Sequence, residues 1–114
     1  MAANDDIKYG IANTLAGVTV TASIVLPASP GVSWFITDVA FRLQANGAFA
    51  ANVFIIDGVT TVFIEELYTT AANTPDELIR TVNIRGTPGN SMTIEFGGAA
   101  ATSIEAMTVN FAIL

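Results

Sequence analysis

The chain has 114 residues, 52% hydrophobic and only 12% charged, with 4 Lys and Arg against 10 Asp and Glu, a net charge of −6, and neither His nor Cys. That length fits one domain, and the missing His and Cys exclude disulfides, the usual zinc, copper and iron ligand sets, and imidazole or thiol catalysis. Lys8, Arg42, Arg80 and Arg85 stand singly, without the cluster a nucleic-acid partner needs, and the longest apolar run, Ala48 to Ile56, falls far short of the ~20 residues of a membrane span.

Residues 1–16 are weakly patterned and read as an N-terminal arm, flexible in the free subunit, ahead of one β-sandwich domain over residues 17–114. The opening Met1-Ala2-Ala3-Asn4-Asp5-Asp6 lacks the positive segment and apolar run of a secretory signal, so the expectation is a soluble protein made in a cytoplasm and not anchored. From Gly17 to Leu26, Val18, Val20, Ala22, Ile24 and Leu26 alternate with Thr19, Thr21 and Ser23, the period-two pattern of a half-buried strand. Pro27-Ala28-Ser29-Pro30-Gly31 ends it.

A second strand is expected from Val32 to Ala45, with Phe35, Val39, Phe41 and Leu43 on the core face. Asp38, Arg42 and Gln44 fall on the other face, which Trp34 and Ile36 share near its start. Asn46-Gly47 marks a turn. Asp57-Gly58 is the best hairpin signal, joining Asn52–Ile56 to Val59–Leu67. Both of those strands are partly apolar on both faces, which suggests a core on one side and a partner on the other.

Thr74-Pro75-Asp76-Glu77 has the form of a capping box and predicts one or two helical turns. The β-branched residues that follow return the chain to strand from Leu78 to Ile84. Arg85-Gly86-Thr87-Pro88-Gly89-Asn90 reads as a loop, Ser91–Phe96 as a strand and Gly97-Gly98 as a turn. The closing strand, Ser103–Ile113, buries Met107, Val109, Phe111 and Ile113. The sum is an all-β, jelly-roll-like single sandwich of seven to eight antiparallel strands.

No catalytic, cofactor or metal residues emerge. A carboxylate pair drawn from Asp38, Asp57, Glu65, Glu66, Glu95 and Glu105 is the remaining hydrolytic option, yet acids at turns and on strand faces are ordinarily solvated. Asp57 in particular reads as a turn residue. Asn4-Asp5-Asp6 or Glu65-Glu66 supply oxygen ligands, but no loop has the calcium pattern of an EF-hand. Trp34, with Tyr9 and Tyr68, offers a thin platform for a sugar ring. Trp34 equally suits an assembly interface or the closing of one end of the sandwich.

From Gly31 to Leu114, the long strand, the Asp57-Gly58 turn, the Ile84-Arg85-Gly86-Thr87-Pro88-Gly89-Asn90 loop and the alternating closing strand resemble small tailed-phage virion proteins. The texture is similar to that of jelly-roll cement or decoration proteins on the outside of phage capsids. The resemblance implies a non-enzymatic homo-oligomer, a trimer, located on the virion capsid surface and bound to the major capsid protein. Phe54 and Phe63 would then lie at subunit interfaces, and Ile7, Tyr9, Ile11 and Leu15 of the arm would order on binding. The alternative is a receptor- or carbohydrate-binding domain of a tail or head fibre.

Overall fold

The computed structural model describes residues 7–15, 22–45, 47–71, 74–97 and 104–113. They form eight strands: β1 (Ile7–Leu15), β2 (Ala22–Leu26), β3 (Trp34–Gln44), β4 (Phe49–Asp57), β5 (Thr60–Thr69), β6 (Asp76–Arg85), β7 (Met92–Phe96) and β8 (Ile104–Ile113). The first sheet has the order β1-β8-β3-β6 and the second β2-β7-β4-β5. Every pairing is antiparallel. The chain behaves as one long ribbon folded at β4–β5, so that β3 meets β6, β2 meets β7 and β1 meets β8. Rolling that ribbon into two sheets is the jelly-roll arrangement.

The two sheets enclose one apolar layer. Ile36, Val39, Phe41 and Leu43 of β3, with Met107 and Val109 of β8, meet Val53 and Ile55 of β4, Leu67 of β5, and Met92, Ile94 and Phe96 of β7. Alternation produces this directly, since successive side chains point to opposite faces. In β7 the odd and even positions separate cleanly, with Met92, Ile94 and Phe96 buried and Thr93 and Glu95 half-buried on the outer side.

Four expectations change. The arm is the first: Ile7–Leu15 is a strand, paired residue for residue with Ile104–Ala112 of β8. The second concerns β3, where the pairing slips between Ile36 and Asp38 against both neighbours. The extra residue reverses the alternation, so Ile36 is fully buried and Phe35 is not. Bulges have this effect because two residues then oppose one.

Third, Thr74 and Pro75 are irregular, and Asp76 and Glu77 already belong to β6 instead of a helical turn. The Asp76 carboxylate accepts a hydrogen bond from Tyr68 N (2.7 Å), a partner that competes with any helix cap. Fourth, Asp57 is the last residue of β4, opposite Thr60, and the two-residue turn is Gly58-Val59. Gly58 has φ +64°, which suits glycine at the first position of such a hairpin turn. Asn46 and Gly98, from two expected turns, lie outside the described residues.

Gly58 is tied to the neighbouring loop. Its N–H donates to Ser91 O at 2.9 Å, and a Cβ placed on it would stand 2.8 Å from Asn90 Nδ2. Gly58→Ala is therefore expected to cost about 2 kcal/mol, from left-handed backbone strain together with displacement of Asn90. Urea denaturation measures this. A loss below about 0.5 kcal/mol would show that neither the backbone nor Asn90 is held as described.

Candidate functional site

On the outer face of the first sheet, short side chains on β3 and β8 leave a trough. Two shallow depressions, of about 130 Å³ and about 240 Å³, share Ala40, Ile79 and Thr108. The register explains the contact. Ala40 lies opposite both Ile79 and Thr108, Arg42 opposite both Glu77 and Ala106, and Asp38 opposite both Thr81 and Asn110. Alanine and threonine keep the floor low, and Ile79, 71% exposed, stands above it. Asp38 and Arg42 are four residues apart on one strand, so the trough runs about 13 Å along β3.

Asp38 is held at one end. Its Oδ1 accepts a hydrogen bond from Thr81 Oγ1 at 3.0 Å, and its Oδ2 accepts one from Asn110 Nδ2 at 3.5 Å. Thr37 Oγ1 donates to Asn110 O at 3.1 Å. At the other end Arg42 Nε and Glu77 Oε2 are 3.5 Å apart, a solvated pair of small energetic weight.

Irregular backbone adjoins this polar cluster on two strands. Thr37 is the extra residue of β3 against β8, while Val82 and Asn83 of β6 together face it from the other side. Asn83 has φ +49°, the left-handed region that few residues other than glycine enter. Bulges and such dihedrals concentrate where side chains are re-aimed for binding.

Of the residues singled out in the sequence, Asp38 lines the trough, whereas Trp34, Phe54 and Phe63 fall elsewhere. Trp34 is half-buried, edge-on to Phe111 with ring centroids 5.9 Å apart, and its Nε1 donates to Pro27 O at 2.9 Å. It closes one end of the sandwich. Phe63 packs on the core side, opposite Ile55, while Phe54 lies half-buried on the outer face opposite Ile64. The register sets Tyr9 beside Asn110 and Ile11 beside Thr108, which brings the backbone of β1 to the trough. Ile7 pairs with Ala112 and Leu15 with Ile104, beyond the trough on either side.

Among the described residues no three acidic side chains gather into a cation-binding group. Asp57 is bonded into the loop at Thr87–Asn90. Glu65 reaches Arg80 across the mouth of the sandwich at 3.5 Å, and Glu66 is exposed. Glu105 is fully buried on the core side of β8, where its register partner is Leu43, so the expectation of a solvated acid fails there. Asn4, Asp5 and Asp6 lie outside the described residues.

Strand order, antiparallel pairing and a single apolar layer define a jelly-roll β-sandwich. No family model matches the chain, and no curated protein matches it by sequence. Solved structures do. The chain is similar to a carbohydrate-binding module, CBM4, at 21% identity and a TM-score of 0.47, over 82% of this chain and 61% of that one. The chain thus spans less than two thirds of that relative. It is also similar to the N-terminal cellulose-binding domain of Cellulomonas fimi β-1,4-glucanase C, at 15% identity and TM-score 0.43, over 92% of this chain and 78% of that one. A third is the Tobacco streak virus coat protein, at 7% identity and TM-score 0.45, over 95% and 87%.

Proposed function

We propose that the protein is a non-catalytic binding module whose trough holds a short stretch of glycan chain. The observation that carries this reading is the trough itself. A low floor of Ala40, Ala106 and Thr108 is bordered by Ile79, with hydrogen-bonding groups at both ends, Asp38, Thr81 and Asn110 at one and Arg42 and Glu77 at the other. A sugar ring offers apolar C–H surface and a rim of hydroxyls, and ligand sites combine apolar area with a few placed polar groups. Ala40→Phe, on the outer face, fills the floor without entering the core. A glycan array probed with the full chain is expected to give signals that Ala40→Phe removes and Trp34→Ala keeps. An empty array, or signals lost only with Trp34→Ala, would sink this reading.

A second reading has its own observation. The outer face of the second sheet exposes Val25 (59%), Val62 (43%) and Ile64 (60%) beside half-buried Phe54. None of its four strands contains Lys or Arg, whereas all four cations lie on β1, β3 and β6. An apolar face dotted with Glu66 and Glu95 suits a structural subunit that docks on neighbours, such as capsid cement on the major capsid protein of a phage. Like charge disfavours pairing of this face with its own copy and favours a head-to-tail contact, as in a trimer, or a foreign surface. Light scattering across a dilution series, with capsid binding alongside, tests it. Monomer at every concentration together with no retention on capsids would remove this reading.

A further inference from the structure

We infer, resting on the glycan reading of the trough, that Asp38 makes it selective for neutral glycans with adjacent free hydroxyls and against chains bearing carboxylate or sulfate groups. An ionised carboxylate only accepts hydrogen bonds, and its two oxygens have room for about four. Thr81 Oγ1 occupies one site on Oδ1, and Asn110 Nδ2 occupies one on Oδ2. The carboxylate lines the larger depression, leaving one further acceptor site on each oxygen for a ligand. Two neighbouring sugar hydroxyls present two O–H donors side by side, the arrangement that a fixed carboxylate takes up as a pair of charge-assisted bonds.

The charge of the lining gives the discrimination. Among the described residues Asp38, Arg42 and Glu77 are the charged ones that border the two depressions, two carboxylates against one guanidinium, and Glu77 already sits beside Arg42. These three groups sum to one net negative charge, and it lies at the end where Asp38 is fixed. A uronate or sulfate brought there meets a like charge and strips water from both groups, a cost that hydroxyl donors avoid. Thr81 and Asn110 act through Asp38 as positioning residues. They come from β6 and β8 on either side of β3, so the carboxylate is oriented before any ligand arrives.

Affinity electrophoresis of the full chain through gels containing neutral xylan, mannan or β-glucan, with polygalacturonate and carrageenan in parallel, tests this. Retardation is expected only in neutral gels. Asp38→Asn, melting as the unsubstituted protein does, is expected to weaken it on the order of tenfold or more. Thr81→Val weakens it too, while Thr81→Ser, which restores the hydroxyl, retains it. Retardation by the anionic polymers, or neutral binding indifferent to both Asp38→Asn and Thr81→Val, overturns the selectivity and leaves the glycan reading standing. No retardation in any gel overturns the glycan reading and this inference with it.

Discussion

Phe41→Ala is expected to lower stability by about 3–5 kcal/mol, the largest effect of any single substitution considered. Phe41 on β3 and Phe96 on β7 are almost completely buried, and their rings meet edge to face, 5.5 Å between centroids at 77°. The two strands belong to different sheets. The contact therefore holds the layers together and does more than fill one of them. Truncation removes the ring's transfer free energy and leaves a void that Ile94 and Met107, themselves locked in the same layer, cannot fill without moving backbone. Against the roughly 5–15 kcal/mol of a whole domain, the variant stands near its folding limit.

Urea denaturation measures the effect, and a double-mutant cycle with Phe96→Ala is expected to return a coupling of about 0.5–1.5 kcal/mol for the edge-to-face pair. Ile79→Ala on the solvent side of the first sheet serves as the control, with an expected change within about 0.5 kcal/mol. If Phe41→Ala cost no more than that control, the apolar layer would not be assembled as described.

Strand positions were legible wherever alternation is clean, as in Ala22–Leu26 and Met92–Phe96, while Asn52–Ile56, partly apolar on both faces, marked only the second half of Phe49–Asp57. In β1 the alternating Ile7, Tyr9 and Ile11 are interleaved with Gly10 and Ala12 and followed by Asn13, so the signal is diluted. What makes that segment a strand is its partner, β8, almost the whole chain away. The slip at Thr37 was hidden for a related reason. The extra residue of β3 is defined only against β8, and the matching irregularity at Val82 and Asn83 only against β6; without the slip Phe35 takes the place in the core that Ile36 occupies. At Thr74-Pro75-Asp76-Glu77 a local helix signal lost to the β-branched run behind it and to the backbone of Tyr68, which claims the Asp76 carboxylate.

The trough was less legible than the fold. Asp38 is 43 residues from Thr81 and 72 from Asn110, so no local motif can announce them. Attention in the sequence goes naturally to aromatics, and Trp34 stands apart from the trough, edge-on to Phe111. Small residues such as Ala40 and Ala106 give no signal at all until the strands are laid side by side. A trough on a sheet is made by what its side chains lack.

Asp57 shows how the same residue changes meaning once its partners are known, and it carries the second large expected effect. Thr87 N donates to both carboxylate oxygens, at 3.2 and 3.1 Å, Thr87 Oγ1 donates at 2.7 Å, and Asn90 Nδ2 donates at 3.2 Å. The carboxylate thus fastens the β4–β5 turn to the loop between β6 and β7. Asp57→Ala should cost about 2 kcal/mol, since the loop loses a charged acceptor for three donor groups. Burial pushes the Asp57 carboxyl up, but the Thr87 hydroxyl, the Asn90 amide and the Thr87 N–H together outweigh it and hold it below its ordinary value of 3.8. A group whose value is depressed by folding stabilises the fold above the unfolded value, and that stabilisation disappears as pH falls through the folded one. The stability difference between the protein and Asp57→Asn should therefore be level well above 3.8 and shrink progressively as pH falls through 3.8 and then through the lower folded value. Urea titrations of both proteins, followed by the fluorescence of the single tryptophan, give that difference at each pH. A difference that stayed level through the acid limb would mean that Asp57 holds the loop by shape and not by charge.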